Sequence, residues 1–115
     1  MIDHPTKPGY KIIHASLEGP ENAVFYRGEA QLRDGKALIV LPEYFEALTK
    51  KEGRTVLITP KFEQDEEKVS QLAASSVTNG RFMVRTIDGN NPNTKFYWEV
   101  KAVREDVPDL EVVRE

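Results

Sequence analysis

Two histidines and the acids near them are the residues of this chain that could catalyse a reaction or bind zinc. His4 follows Asp3, and His14 precedes Glu18 and Glu21 in the sequence. Imidazole and carboxylate groups can coordinate zinc or exchange protons with a substrate. The spacing matches no zinc motif, and the chain has no cysteine that could supply further ligands. We therefore expect His4 and His14 to be structural, and we predict no metal, no cofactor and no catalytic residue.

Two further motifs, a calcium-binding loop and a serine nucleophile elbow, are incomplete in this chain. Asp88, Asn90 and Glu99 occupy positions 1, 3 and 12 of a calcium-binding loop, but position 6 is Asn93, where that loop needs glycine. A plain hairpin loop is the better interpretation. The serines in the second half of the chain lie in no nucleophile-elbow motif, and no histidine follows them. A hydrolase that uses His14 with nearby carboxylates is kept as an alternative.

Aromatic side chains could form a platform for a sugar ring if several were exposed together. The candidates for surface or ligand contact are Tyr26 and Tyr97. Alternation along residues 95–105 places Tyr97 on the face opposite Trp98. A carbohydrate-binding module is therefore a second alternative function.

Length and charge restrict the class of protein further. A chain of 115 residues is expected to form one domain, and its net charge of −3 lacks the basic stripe that binds nucleic-acid phosphates. The longest apolar run, residues 37–42, is too short to cross a bilayer. The first ten residues lack the basic start and the apolar stretch of a secretory signal. We expect no nucleic-acid partner and no membrane insertion.

The elements that must position these residues are mainly strands. About seven short alternating runs separated by turn residues predict an antiparallel β-sandwich or a small barrel, with one short helix at about residues 42–51. Asp34-Gly35 predicts a type I′ hairpin turn. Residues 1–9 are predicted to form an extended lead-in, residues 10–106 a single β-rich domain, and residues 107–115 a C-terminal tail.

The helix is predicted to be a plug for the core. Leu41, Tyr44, Phe45 and Leu48 fall at positions i, i+3, i+4 and i+7, which share one helical face. Such an apolar stripe is usually buried. We expect it to close one open end of the sandwich.

Short blocks in a fixed order extend along nearly the whole chain. They are "IDHP" at 2–5, "EGPEN" at 18–22, "YRGEAQLRDGKALIVLPEYFEAL" at 26–48, "LITP" at 57–60, "NGRFMVRT" at 79–86 and "FYWEVKAVRED" at 96–106. Together these blocks resemble a carboxy-terminal domain of phage tail-fibre-like and large bacterial surface proteins. Such domains usually follow a repetitive β-fibre and look like trimeric caps or tips.

The resemblance implies a non-enzymatic function as a trimerising tip or cap domain of a phage tail fibre or related surface fibre. It implies a location on a virion tail fibre or a bacterial cell surface, with an upstream fibre segment as neighbour and a cell-surface glycan or host receptor as a contact. The tail carries Leu110, Val112 and Val113, which we expect to contact a neighbouring subunit. Closed cyclic symmetry would bury these identical patches, and a fibre context favours a homotrimer.

Overall fold

The computed structural model describes residues 2–13, 20–63 and 68–107. Within these ranges the chain forms eight strands and one four-residue helix. The strands are β1 Ile2–Asp3, β2 Lys11–Ile12, β3 Ala23–Gln31, β4 Lys36–Val40, β5 Thr55–Lys61, β6 Leu72–Ala74, β7 Arg81–Thr86 and β8 Lys95–Val103, and the helix is α1 Phe45–Leu48. The predicted mainly β fold is confirmed.

Most of the strands form two antiparallel sheets of three strands each. The first sheet has the order β3-β8-β5, and the second has the order β4-β7-β6. The rings of Phe82 in β7 and Trp98 in β8 meet edge to face across the two sheets, with centroids 5.8 Å apart. Within the described residues the sheets do not close into a barrel, so the sandwich is the better of the two predicted architectures.

Alternation decides which side chains enter the space between the sheets. Successive residues of a strand point to opposite faces, so an apolar residue at every second position builds one buried face. In β7 and β8 the buried members are Phe82, Val84, Phe96, Val100 and Ala102. Between them, Met83, Tyr97 and Lys101 are exposed on the outer faces. This is the alternation that the sequence predicts.

Trp98 requires a glycine on the neighbouring strand. Gly28 of β3 lies directly opposite Trp98, so both positions face the same side of the sheet. A Cβ atom at Gly28 would lie 3.0 Å from atoms of the indole ring, which is closer than packed carbon atoms approach. The missing side chain therefore lets the indole lie across β3.

The Asp34-Gly35 turn has the predicted conformation but a different role. Both residues have positive φ, 52° and 83°, as a type I′ turn requires. The predicted hairpin around it is reduced to one bridge between Arg33 and Lys36, because β3 pairs with β8 and β4 pairs with β7. The turn thus carries the chain from the first sheet to the second. Residues 88–93 make the reverse connection, from β7 to β8, so the predicted hairpin loop there is also wrong.

The first residues do not form the predicted extended lead-in. Ile2 pairs with Ile12, and the N–H of His4 donates to the carbonyl of Tyr10 at 2.9 Å. Both isoleucines are buried in the main apolar cluster. Burial of two large apolar side chains stabilises this short hairpin, and the predicted boundary after residue 9 therefore falls inside one folded unit.

The helix is shorter than the predicted segment 42–51. It ends at Leu48 because Thr49 adopts an extended conformation and forms a bridge with Arg104 just beyond β8. Pairing with a strand end thus replaces further helical hydrogen bonds. Leu41, Phe45 and Leu48 lie in the core, and Tyr44 is half-buried against it.

Arg54 connects the helix to the segments around it. Its side chain is only 5% exposed, and its Nη1 lies 2.7 Å from Glu46 Oε2. Its Nε donates to the carbonyl of Lys50 at 2.9 Å, and its Nη2 donates to Thr49 Oγ1 at 3.2 Å. The guanidinium also lies 4.8 Å from the centroid of the Phe45 ring. These contacts give the buried charge a counter-ion, hydrogen-bond acceptors and an aromatic face.

The Arg54 network extends to the turn before β7. Arg54 Nη1 also points to the carbonyl of Val77 at 3.4 Å, and Glu46 Oε2 accepts a hydrogen bond from the N–H of Gly80 at 3.0 Å. The helix, the start of β5 and the β6–β7 connection are therefore joined by one ion pair.

Removing Phe45 tests its place in the core. Phe45→Ala should lower the free energy of unfolding by about 3 to 5 kcal/mol, the usual cost of a large cavity. Phe62→Ala is the matched control, because Phe62 is 67% exposed. That variant should lose less than about 1 kcal/mol in the same denaturant titration. Equal losses for the two variants would contradict the core position of Phe45.

Removing Arg54 tests the network. Arg54→Ala should destabilise the fold by about 1 to 3 kcal/mol, because it removes a buried side chain whose hydrogen bonds join several segments and leaves Glu46, one-third exposed, without its counter-ion. Lys51→Ala, at an exposed position nearby, should have little effect on the denaturation midpoint. Arg54→Lys should remain destabilised, because an ammonium cannot reproduce the guanidinium fork. A midpoint unchanged in Arg54→Ala would show that the network does not stabilise the fold.

Candidate ligand-binding groove

An open groove lies on the outer face of the first sheet. Its volume is about 560 Å³, which lies in the usual range for small-molecule sites. All three strands of the sheet contribute to its lining, which consists of Arg27, Gly28, Glu29, Leu57, Thr59, Tyr97, Trp98 and Glu99. We call this the sheet-one groove.

Strand register brings the outward side chains of the groove together. Glu29, Tyr97 and Thr59 lie side by side in one row across β3, β8 and β5. Arg27, Glu99 and Leu57 form the next row on the same face, because two residues separate the rows along each strand. An aromatic ring, an apolar side chain and several polar groups therefore share one surface.

Tyr97 is the aromatic residue of the groove, and 43% of it is exposed. Lys61 Nζ lies 5.4 Å from the centroid of its ring. Lys61 belongs to the row on the side of Tyr97 away from Glu99. The side of the ring toward the row of Arg27, Glu99 and Leu57 is therefore the one that adjoins the rest of the groove.

The charges of the groove are largely balanced within the first sheet. Lys61 Nζ lies 3.7 Å from Glu29 and 3.4 Å from Glu63, and Lys101 Nζ lies 3.0 Å from Glu99. The hydrogen bond to Glu63 and the charge of Glu29 raise the pKa of Lys61. Arg27 has no ion pair among the residues that the structure describes. The groove thus presents two carboxylates and one guanidinium without a strong net charge.

Tyr26 and Tyr97 do not form a common platform. Tyr26 lies opposite Val100 on the inner face of the first sheet, and its ring centroid is 5.8 Å from that of Phe45. Burial, followed by the hydrogen bond with Tyr44, raises the pKa of the Tyr26 hydroxyl. The prediction of a surface or ligand contact at Tyr26 is therefore wrong. It fails because odd and even positions of adjacent strands face opposite sides of the sheet.

His4 makes local hydrogen bonds. Its Nδ1 accepts from the backbone N–H of Thr6 at 3.3 Å and from that of Lys7 at 3.1 Å. Its ring meets Tyr44 edge to face at a centroid distance of 5.4 Å. His4 thus closes the turn between β1 and β2. His14 and the proposed oligomer contacts Leu110, Val112 and Val113 lie outside the described residues.

The segment with partial calcium-loop spacing uses its first acid to hold the backbone. Asp88 Oδ1 accepts the N–H of Asn90 at 3.0 Å, and Asp88 Oδ2 accepts the N–H of Gln71 at 3.0 Å. These bonds, in that order of importance, lower the pKa of Asp88. Across the described ranges no cluster of three or more histidines and acids could hold a metal ion.

The outer face of the second sheet is both apolar and basic. Leu38, Val40 and Met83 are 50%, 67% and 41% exposed. Cross-strand pairing places Leu38 beside Met83, Val40 beside Arg81, and Lys36 beside Arg85. These three basic side chains have no ion pair among the residues described here. We call this surface the cationic apolar face.

Sequence reasoning missed the cationic apolar face as well as most of the sheet-one groove. Alternation indicates that Met83 and Arg85 point outward, but only the strand pairing places them beside Leu38 and Lys36. Similarly, Arg27 and Leu57 are distant in sequence, and only the pairing of β3 and β5 with β8 places them in one row on either side of Glu99.

Comparison with known proteins finds no family model, no curated protein and no solved structure that matches this chain. The described part of the chain contains no helix with the length and apolar character needed to cross a membrane.

Acid should weaken the contacts of Asp88. Because its pKa in the folded protein is lowered, the contribution of the carboxylate to stability is present above the unfolded pKa of about 4 and is lost as pH falls through the folded pKa. The amide NMR shifts of Gln71 and Asn90 should report this titration, with a midpoint below about pH 4. Asp88→Asn should remove it, whereas Asp34→Asn should not. A midpoint above the unfolded value would contradict the assignment.

Proposed function

We propose that this chain is a non-enzymatic, self-associating tip or cap domain of a phage tail fibre or bacterial surface fibre, with three copies around one axis. The observation that carries this proposal is the cationic apolar face. Leu38, Val40 and Met83 present adjoining apolar side chains on the outer face of the second sheet. Contiguous exposed apolar surface is typical of protein interaction sites.

Charge favours a ring over a two-fold dimer. In a two-fold contact the same face meets itself, which would bring Lys36, Arg81 and Arg85 near their own copies. The whole chain has 16 basic and 19 acidic residues, so without these three, 13 basic residues remain against 19 acidic ones. The rest of the surface is therefore more acidic than this face. Contact between this face and a different surface of the next copy pairs opposite charges, and such a head-to-tail contact forms a ring when its rotation closes.

The carboxy-terminal segment has the composition that would complement this face. Residues 109–115 contain three acids and one arginine, together with Leu110, Val112 and Val113. Acidic and apolar side chains in one segment suit a surface that is basic and apolar. We propose that this segment of one subunit binds the cationic apolar face of the next.

The fibre context comes from the sequence resemblance, and the fold is compatible with it. A fibre of parallel β-chains ends in unpaired strand edges, which a β-rich domain of three copies can cover. The hydrolase alternative depends on His14, which lies outside the described residues. His4 gives it no support, because its Nδ1 accepts two backbone N–H groups of the β1–β2 turn.

Light scattering of the purified chain tests self-association. The expected solution mass is near three times 13.1 kDa. Val40→Lys should dissociate the assembly, because it adds a charge to the apolar part of the face, and deletion of residues 109–115 should do the same. Phe62→Lys is the control, since Phe62 is also exposed but lies outside the cationic apolar face.

Added salt and charge-reversal variants test the electrostatic contribution to self-association. Arg81→Glu should weaken the assembly, and high salt should weaken the wild-type assembly by screening opposite charges. A monomer at high protein concentration would overturn self-association. A stable dimer would overturn the three-copy arrangement.

A further inference from the structure

We infer that the sheet-one groove binds a neutral pyranose sugar, with Tyr97 as the stacking platform and Arg27, Glu29 and Glu99 as hydrogen-bonding groups. In naming a cell-surface glycan as the source of that sugar, the inference rests on the proposed function. The chemistry of the groove itself does not depend on self-association.

Tyr97 provides the surface on which a sugar ring would lie. Pyranose rings present C–H groups on one face, and these carry the partial positive charge that the negative face of an aromatic ring attracts. Lys61 belongs to the row on the side of Tyr97 away from Glu99, and its ammonium lies 5.4 Å from the ring centroid, so the side of Tyr97 toward Glu99 adjoins the groove. Leu57, 64% exposed, extends the apolar surface in the neighbouring row.

Polar groups surround this platform on both adjacent strands. Glu29 lies directly beside Tyr97, and Arg27 lies directly beside Glu99 in the next row. Carboxylate oxygens accept hydrogen bonds from sugar hydroxyls, and a guanidinium donates to their oxygens. Thr59 supplies a hydroxyl on the far side of Tyr97. An apolar platform with a few placed polar groups is the usual design of a small-molecule site.

The charge pattern favours a neutral sugar over an acidic one. Arg27 shares its face with Glu29, two residues along β3, and with Glu99, directly across the ladder. Lys61 and Lys101 offset the charges of Glu29 and Glu99, so a ligand carboxylate would lose its hydration without meeting a strong net positive charge. Hydroxyl groups can donate to the carboxylates and accept from the guanidinium without that penalty.

NMR titration of the full chain tests the inference. A ¹⁵N-labelled sample would be titrated with the methyl glycosides of glucose, galactose, mannose and N-acetylglucosamine, and separately with glucuronic acid. At least one neutral glycoside should cause saturable shifts at groove amides such as Gly28, Leu57 and Tyr97, with millimolar affinity typical of single sugars. The absence of such shifts up to about 100 mM, or stronger binding of glucuronic acid, would overturn it.

Substituted proteins distinguish the loss of sugar stacking from the loss of folding. Tyr97→Ala should weaken binding at least about ten-fold, while Tyr97→Phe should keep it within about three-fold, because the ring and not the hydroxyl stacks. Glu99→Gln should also weaken binding. Tyr10→Ala is the matched control, since Tyr10 is exposed and lies outside the groove. Equal affinity in Tyr97→Ala and Tyr10→Ala, with amide spectra that show folded protein, would contradict the assignment.

The sugar titration and the mass measurement test the two hypotheses separately. A trimer that binds no neutral sugar would remove this inference and leave the proposed function standing. A monomer that binds a sugar at Tyr97 would remove the proposed assembly and leave the groove as a binding site.

Discussion

The buried charge of Arg54 is the constraint on which the closed end of the sandwich depends. A guanidinium removed from water is costly unless a counter-ion and acceptors surround it. Glu46 in the helix is the counter-ion, and the carbonyl of Lys50 in the segment after it accepts a hydrogen bond from the guanidinium. The carbonyl of Val77 in the β6–β7 connection accepts another. The helix can therefore pack Phe45 and Leu48 into the core only where these three segments come together.

This arrangement leaves the two outer faces of the sandwich free for other roles. Inner positions of β7 and β8 are filled by buried apolar side chains, and Gly28 makes room for the indole of Trp98. The outer positions of the same strands contribute little to that packing. One outer face thus carries a groove around Tyr97, and the other carries the apolar and basic residues around Val40. The inferred sugar site and the proposed assembly surface are separate because they lie on different sheets.

The two inferred functions both depend on strands that are far apart in the chain. The cationic apolar face uses two adjacent strands, β4 and β7, with a five-residue ladder between them. The sheet-one groove needs β3, β8 and β5, which are far apart in the chain. A change that shifts the register of β8 by one residue would turn Tyr97 inward and Trp98 outward. The contact between Trp98 and Phe82 opposes such a shift, so core packing also orients the groove.

The sequence by itself determined what depends on local pattern. Alternation identified the buried face of β8, and Asp34-Gly35 determined a turn with positive φ at both residues. Tertiary structure decided what depends on distant partners. Thr49 pairs with Arg104 and ends the helix early, and β8 separates Tyr26 from Tyr97 by placing them on opposite faces. The physical reason is that periodicity and backbone preference act over a few residues, whereas strand pairing and charge burial are set by the packing of the whole chain.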